Sequence, residues 1–273
     1  MDSLKILFVS PEAVPYAKTG GLADVAGSLP GSLAKLGHDV KLIMPLYRHV
    51  DREKYNLEKM ASDLTASIAD RRETFHLYKS DNGIEGIETW FIDNEKFFDR
   101  PELYRDPSTG QDWADNDERF GFFARAVLQA CRSMGFMPNI VHCNDWQSGL
   151  IPALLKVDSS YSDFSNVSTV FSIHNIAYQG NFDAASFAKL DLDNTLFEPG
   201  GGFEYWGKIS FLKAGIWYTD IINTVSETYA REIQSSNEYG YGFPRGALKL
   251  QRELQSNHRR TLGKVICRLR QEN

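Results

Sequence analysis

Short apolar runs alternate with helix-patterned segments along most of this chain, and that alternation constrains the fold more than any other feature. "LKILFVS" near the N-terminus, "HDVKLIMP" from His38, "PNIVHCND" from Pro138, "STVFSIHN" from Ser168 and "DIINTVS" from Asp220 each read as a strand buried on both faces. Between them, Leu22, Val25, Leu29, Leu33 and Leu36 recur at helical spacing until Gly37. Phe120, Phe123, Val127 and Ala130 share one face of a helix over 116–135, and "SGLIPALLKV" is helical after the strand that precedes it. Ser226 caps "ETYAREIQSS", with Glu227 early in that helix. Residues 72–93 hold two strand-like runs around Asp81-Asn82-Gly83, a hairpin signal. Strands separated by helices imply a parallel sheet covered on both faces. The expectation is a Rossmann-like α/β domain over about 1–243, with the hairpin as an insertion or edge pair.

Composition narrows the function classes. No apolar run approaches the roughly 20 residues needed to span a bilayer, which speaks against a membrane partner, and "MDSLKILFVS" carries no signal-peptide pattern. Cys131, Cys143 and Cys267 are too widely spaced for a zinc site or a disulfide framework, and reduced cytoplasmic cysteines are expected. A net charge of −6 gives no support for nucleic-acid binding. That charge is uneven: residues 1–243 carry a net −12, whereas 244–273, "PRGALKLQRELQSNHRRTLGKVICRLRQEN", carry +6 and no Phe, Tyr or Trp. Leu262, Val265, Ile266 and Leu269 recur there at helical spacing, but so few apolar groups do not offset the chain entropy of a compact unit.

Several chemically suggestive residues fall just after strand ends, where ligands bind in parallel sheets. Lys18 stands two residues before Gly20-Gly21 where the first strand hands over to a helix. A helix N-terminus suits phosphate, glycine lets the backbone approach, and a lysine adds a full charge. A plain turn beside a solvated lysine is the bland alternative. Asp24, in the first helical turn, reads equally as a carboxylate favoured by the helix dipole. Asp145-Trp146 ends another strand and doubles as a helix cap, and His174-Asn175 ends a third, followed by Tyr178-Gln179-Gly180. An imidazole at a strand end is able to donate to a sugar hydroxyl or a phosphate oxygen. Asp115-Asn116-Asp117 and Asp191-Leu192-Asp193 resemble the paired carboxylates of metal-dependent sugar transferases, but both read as solvated or capping residues. Trp113 has the makings of a sugar-stacking ring, while Phe97, Phe98, Phe120, Phe122 and Phe123 read as core. The "SPEAVPYAKTGG" turn lacks G-x-G-x-x-G spacing, and "AKTGG" reverses the P-loop order, so neither common nucleotide motif is present.

"PYAKTGGLADVAGSLPGSLAKLGHDVKLIMPLY" resembles the N-terminal signature of bacterial glycogen synthases and plant starch synthases. The resemblance continues through "FFDRPELY", "DNDERFGFFARAVL", "VHCNDWQSGLIPALLK", "FSIHNIAYQGNF" and "KISFLKAGIWYTDIINTVSETYAREI", over roughly residues 4–243. It implies the first half of a GT-B fold and a retaining glucosyltransferase. Such an enzyme moves glucose from ADP-glucose to the non-reducing 4-hydroxyl of an α-1,4-glucan such as glycogen or a starch primer, with no cofactor and no obligatory metal. It implies that Lys18 meets the phosphates or glucose of the donor, that Gly20 and Gly21 let the backbone close over it, and that Asp24 orders that loop. It also implies a catalytic position for His174 beside the transferred glucose, with Asn175 on the donor, and places Asp145, Tyr178 and Gln179 on the acceptor side. The family's second domain is expected soon after "NEYGYGF", and residues 244–273 match nothing of it, as a frameshift, a truncated gene or a variant terminus would produce. The expectation is therefore a chain with little activity of its own. The alternatives are a non-catalytic glucan-binding or regulatory fragment, or a GT-B transferase with another donor.

Overall fold

The computed structural model describes residues 3–234. Residues 244–273, their apolar stripe, Cys267 and the domain boundary at 243 lie outside the described residues. The elements run β1 (Lys5–Val9), α1 (Gly21–Lys35), β2 (Asp39–Pro45), β3 (Glu58–Ile68), β4 (Arg71–Ser80), β5 (Glu88–Asp93), α2 (Glu95–Phe98) and α3 (Asn116–Ser133). They continue through β6 (Ile140–Asn144), α4 (Leu150–Val157), β7 (Ser168–Ile173), β8 (Asn181–Asp183), β9 (Glu204–Tyr205), β10 (Lys208–Ser210), α5 (Phe211–Tyr218), β11 (Ile221–Thr224) and α6 (Glu227–Glu232). All five strands read from the apolar runs are present. β3, the small β8–β10–β9 sheet and α5 are additions, and none of them carries a strong periodic pattern.

The main sheet has eight strands in the order β11-β7-β6-β1-β2-β5-β4-β3. β11, β7, β6, β1, β2 and β5 are parallel, and their pairing registers Ile6 with Val40 on one side and with Ile140 on the other. The hairpin is built into this sheet: β5 pairs in parallel with β2, and β4 and β3 continue outward antiparallel. β3 is the edge strand, and it carries bulges and mostly exposed polar side chains, features that discourage further pairing. Leu7, Phe8, Val9, Leu42, Ile43, Met44, Val141, Cys143, Phe171 and Ile173 are fully buried, as strands covered on both faces require. α3 is buried on nearly every side, because Phe122 meets Phe97 and Phe75 while the opposite faces pack on other layers. Chain order reverses at β1, with β2 on one side and β6 on the other, so the crevice beyond the β1 and β6 C-termini is the topological switch point.

The α1 contact face differs from the expected leucine stripe. Leu22, Ala23, Ala26 and Pro30 are buried, Val25, Leu29 and Leu33 are half-buried, and Leu36 is exposed at the C-cap before Gly37 turns the chain at φ +92°. Close approach is the reason: a Cβ on Gly27 would lie 2.7 Å from the Val14 carbonyl oxygen, so small residues face the 11–17 loop. The helix is thereby pressed onto the loop that bears Lys18.

A second close approach holds the far side of the crevice. A Cβ on Gly149, where α4 begins, would lie 2.1 Å from the carbonyl oxygen of Phe211, whose N–H is itself bonded to Gly180. Gly149→Ala is expected to cost about 2–3 kcal/mol in denaturant unfolding, the range of overpacking in a close-packed interior. A loss below ~0.5 kcal/mol, ordinary for a surface position, would mean that α4 and α5 are not in such contact.

Candidate functional site

Three strand ends build the site. After β1 the chain enters the 10–20 loop, and Glu12 turns back beneath it, almost fully buried. Its Oε2 accepts hydrogen bonds from the Thr19 N–H and, at 2.7 Å, from the Thr19 hydroxyl, so a carboxylate holds the Lys-Thr-Gly-Gly segment from below. Lys18 stands half-exposed above, its Nζ bracketed by both Asp24 oxygens at 2.7 and 2.8 Å. Gly20 is the N-cap of α1 and supplies no side-chain cap, which leaves the first N–H groups of the helix to other acceptors. A Cβ on Gly21 would meet nothing within 4 Å. The fold does not demand glycine there, and the open space in front of the helix N-terminus is what the missing side chain provides.

β6 supplies Asn144 and Asp145, and β7 supplies His174. The Asn144 amide donates to the Val9 carbonyl at 2.9 Å, which orients the group so that its oxygen faces the His174 Nε2, also at 2.9 Å. His174 Nε2 therefore carries the proton, and Nδ1, with no partner, keeps a lone pair. Burial lowers the His174 pKa to about 4, so the ring is neutral near pH 7. A strand-end imidazole is expected to donate to a sugar hydroxyl or a phosphate oxygen; here the one ring N–H goes to Asn144, and the remaining nitrogen is an enclosed acceptor without a partner. His142, two residues before Asn144, is by contrast a satisfied core histidine bonded to Ser172 at 2.6 Å.

Asp145 is held at φ +54°, a conformation that costs a non-glycine residue about 1–3 kcal/mol. The contortion aims its Oδ1 at the backbone N–H of His174, 2.7 Å away. Burial raises its carboxyl pKa to about 7, against the lowering by the His174 and Asn175 N–H groups, and Glu12 adds to the rise. Tyr104 lies within electrostatic reach of Glu12 and Asp145, and burial pushes its phenol and that of Tyr47 well up. Both hydroxyls are enclosed and lack hydrogen-bond partners, and they approach one another without bonding geometry. Glu12, Tyr47, Tyr104 and Asn144 were not legible as site residues. No motif singles them out, and only the return of the 10–20 loop and the 97–104 loop to one crevice brings them in.

The remaining sequence candidates scatter. Asn175 is exposed beside Asp145, and its side chain accepts the Ala177 N–H. Gly180 takes φ +57° and lets this loop lie on the Trp146 ring, where a Cβ would stand 2.5 Å from a ring carbon. Tyr178 is largely exposed, whereas Gln179 is buried, with its backbone carbonyl on Leu212 and its Nε2 unpartnered. The paired aspartates have structural partners: Asp115 binds Arg100, Asp117 binds Lys189 at 2.8 Å, Asp191 accepts the Asp70 N–H, and Asp193 accepts the Thr195 N–H. Trp113 has one face covered by Arg100, at 4.7 Å. Among the described residues no helix is long and apolar enough to cross a membrane.

Residues 5–247 match a family model described as the starch synthase catalytic domain. The chain is 44% identical over 241 residues to a glycogen synthase of Syntrophotalea carbinolica, covering 88% of this chain and 49% of that one. It is 45% identical over 239 residues to a glycogen synthase of Moorella thermoacetica, covering 87% and 46%. The fold superposes with a TM-score of 0.80 and 27% identity on the catalytic domain of starch synthase IV from Arabidopsis thaliana, bound to ADP and acarbose, over 93% of this chain and 50% of that one. The chain spans about half the length of the curated relatives it matches.

The buried carboxyl of Asp145 makes stability pH-dependent. Its folded pKa, about 7, lies above the unfolded value of about 3.9. The folded state therefore holds the proton more tightly, and this contribution is present in acid and lost as pH rises through about 7. Asp145→Asn keeps the acceptor oxygen and removes the titration. The stability of the variant relative to the parent is expected to rise by about 2–3 kcal/mol between about pH 5 and pH 8, measured by urea unfolding. A difference that stays flat with pH would contradict the buried neutral carboxyl.

Proposed function

The chain belongs to the starch synthase catalytic-domain family, and from that premise we propose that it forms the donor-and-acceptor half of a retaining glucosyltransferase that moves glucose from ADP-glucose to the non-reducing 4-hydroxyl of an α-1,4-glucan. On this reading residues 1–243 are the first domain of a GT-B pair, and 244–273 are an atypical basic tail. The observation that carries the proposal is the pairing of unlike surfaces across one crevice. On the α1 side stand an uncapped helix N-terminus, two glycines and Lys18, which suit a diphosphate. On the β6–β7 side stand a neutral His174 and the buried Asp145 carboxyl, groups of the kind that meet sugar hydroxyls. Both families of contact meet at the switch point of the sheet. The ADP and acarbose named for the Arabidopsis relative are the same two chemistries.

Each side has a stated role. Lys18 exchanges Asp24 for a phosphate oxygen, Asp24 keeping the lysine close until then. The first N–H groups of α1 receive the diphosphate, with Gly20 and Gly21 permitting backbone contact. His174 stands beside the transferred glucose, with Asn175 next to it. Asp145, Tyr178 and Gln179 line the acceptor side. In two-domain transferases of this class the second domain supplies much of the charge that stabilises a leaving diphosphate, and electrostatic stabilisation of that kind is a large share of catalysis. A glucan-binding module without transfer is the second reading, favoured by the presence of Asp145 and Gln179, both buried, on this domain's own side of the crevice.

One assay separates them. The chain alone is expected to incorporate little labelled glucose from ADP-glucose into glycogen, and a fusion to the second half of the Moorella relative is expected to incorporate it readily. In that fusion Lys18→Ala should lower donor use at limiting ADP-glucose by about tenfold or more, the loss of one charge-assisted contact, and Lys18→Arg should restore it only in part. Unchanged kinetics for Lys18→Ala would remove Lys18 from the site. A fusion that binds glycogen without transfer would leave the second reading.

A further inference from the structure

We propose that Arg119 is a positioning residue of the crevice: a buried guanidinium that fixes the 97–104 loop so that the Tyr104 ring is held against Trp146, the residue after Asp145. The meaning of Tyr104 for a glucan rests on the proposed function. The coupling of Arg119 to Tyr104 does not.

Arg119 is fully buried in α3, yet among the described residues no carboxylate lies within ion-pair distance of it. Its bonds go to neutral oxygens. Nε donates to the Phe97 carbonyl at 2.7 Å, and Nη1 donates to the Leu103 carbonyl at 2.9 Å and to the Asn116 Oδ1 at 2.7 Å. Those two carbonyls bracket the loop. Asn116, held by Arg119, donates its own amide to the Tyr104 carbonyl at 3.0 Å, so the guanidinium and its relay grip the loop on either side of the Leu103–Tyr104 bond. The Tyr104 ring then packs between Phe120 and Trp146, the residue that follows Asp145. An unpaired buried cation is costly, and an apolar side chain of similar volume would fill the space more cheaply. What the charge adds is directional. Nη2 has no partner, and Tyr47 and Tyr104, whose hydroxyls are also unpartnered, lie within electrostatic reach of it. A positive charge behind two phenols orients their oxygens toward it.

The test uses the whole chain labelled with 3-fluorotyrosine. The Tyr104 fluorine resonance is assigned by its loss in Tyr104→Phe, and maltohexaose affinity is measured by calorimetry. In Arg119→Lys, which keeps the charge and loses the fork, the Tyr104 resonance is expected to shift while that of exposed Tyr178 stays. Maltohexaose Kd should rise about tenfold in Tyr104→Phe, because the enclosed phenol shapes the floor of the crevice without touching the sugar, and by a similar factor in Arg119→Lys. The double variant should bind no worse than Tyr104→Phe alone, because both changes act through one group. If Arg119→Lys does not fold, Asn116→Ser breaks the same relay and carries the same expectations. A folded variant with an unmoved Tyr104 resonance, or losses that add in the double variant, would overturn the positioning role. A shifted resonance in a parent chain that binds no maltohexaose would leave that role standing and remove the proposed function.

Discussion

The Asn144 carboxamide is the joint on which the crevice depends. It is fully buried, and it ties the ends of three strands together: Val9 of β1 through its N–H, its own β6 through the backbone, and His174 beyond β7 through its oxygen. The direction of those bonds decides the chemistry of the histidine. With the amide oxygen facing Nε2, the ring has one tautomer, and its lone pair lies on the enclosed Nδ1. A buried amide that is satisfied on both ends is worth far more than its net bond energies, because freeing either end strands a polar group without water.

Asp145 shows the same economy at higher cost. Its left-handed backbone and its buried carboxyl are both unfavourable by themselves, and both are held by the His174 N–H and by the packing of Trp146 on Gly180. Strain of this kind persists only where surrounding structure over-determines it, and it gathers at functional positions. Glu12 plays the opposite part. Its carboxylate is spent on Thr19, which fixes the loop in front of α1 and so the place where Lys18 stands. The result is a crevice with one wall suited to anions and one suited to hydroxyls.

The strands and long helices were legible because their burial is two-sided and their periodicity is strong. "LKILFVS" and "STVFSIHN" became β1 and β7 within a residue or two. β3 was not legible, since an edge strand with exposed Lys59 and Asp63 has no apolar alternation to read. Lys18, Asp145 and His174 were legible because they follow strand ends, and position at a strand end survives translation into three dimensions. Glu12, Tyr104, Asn144 and Arg119 were not, because their meaning lies mostly in contacts with other segments, up to 135 residues away in sequence for Asn144. Arg119 in particular reads as one charge in "DNDERFGFF", and nothing in that string says it is buried without an acid. His142 and His174 look alike as strand histidines; only the partner of each nitrogen tells the core residue from the one in the crevice.

The central claim is that Asn144 holds His174 as a neutral imidazole with its proton on Nε2 and its Nδ1 enclosed, and nitrogen-15 NMR of the imidazole reads it directly. An Nε2–H tautomer near pH 7 and protonation only near pH 4 are expected. An Nδ1–H tautomer, or a titration near the ordinary histidine value of about 6.5, would contradict it.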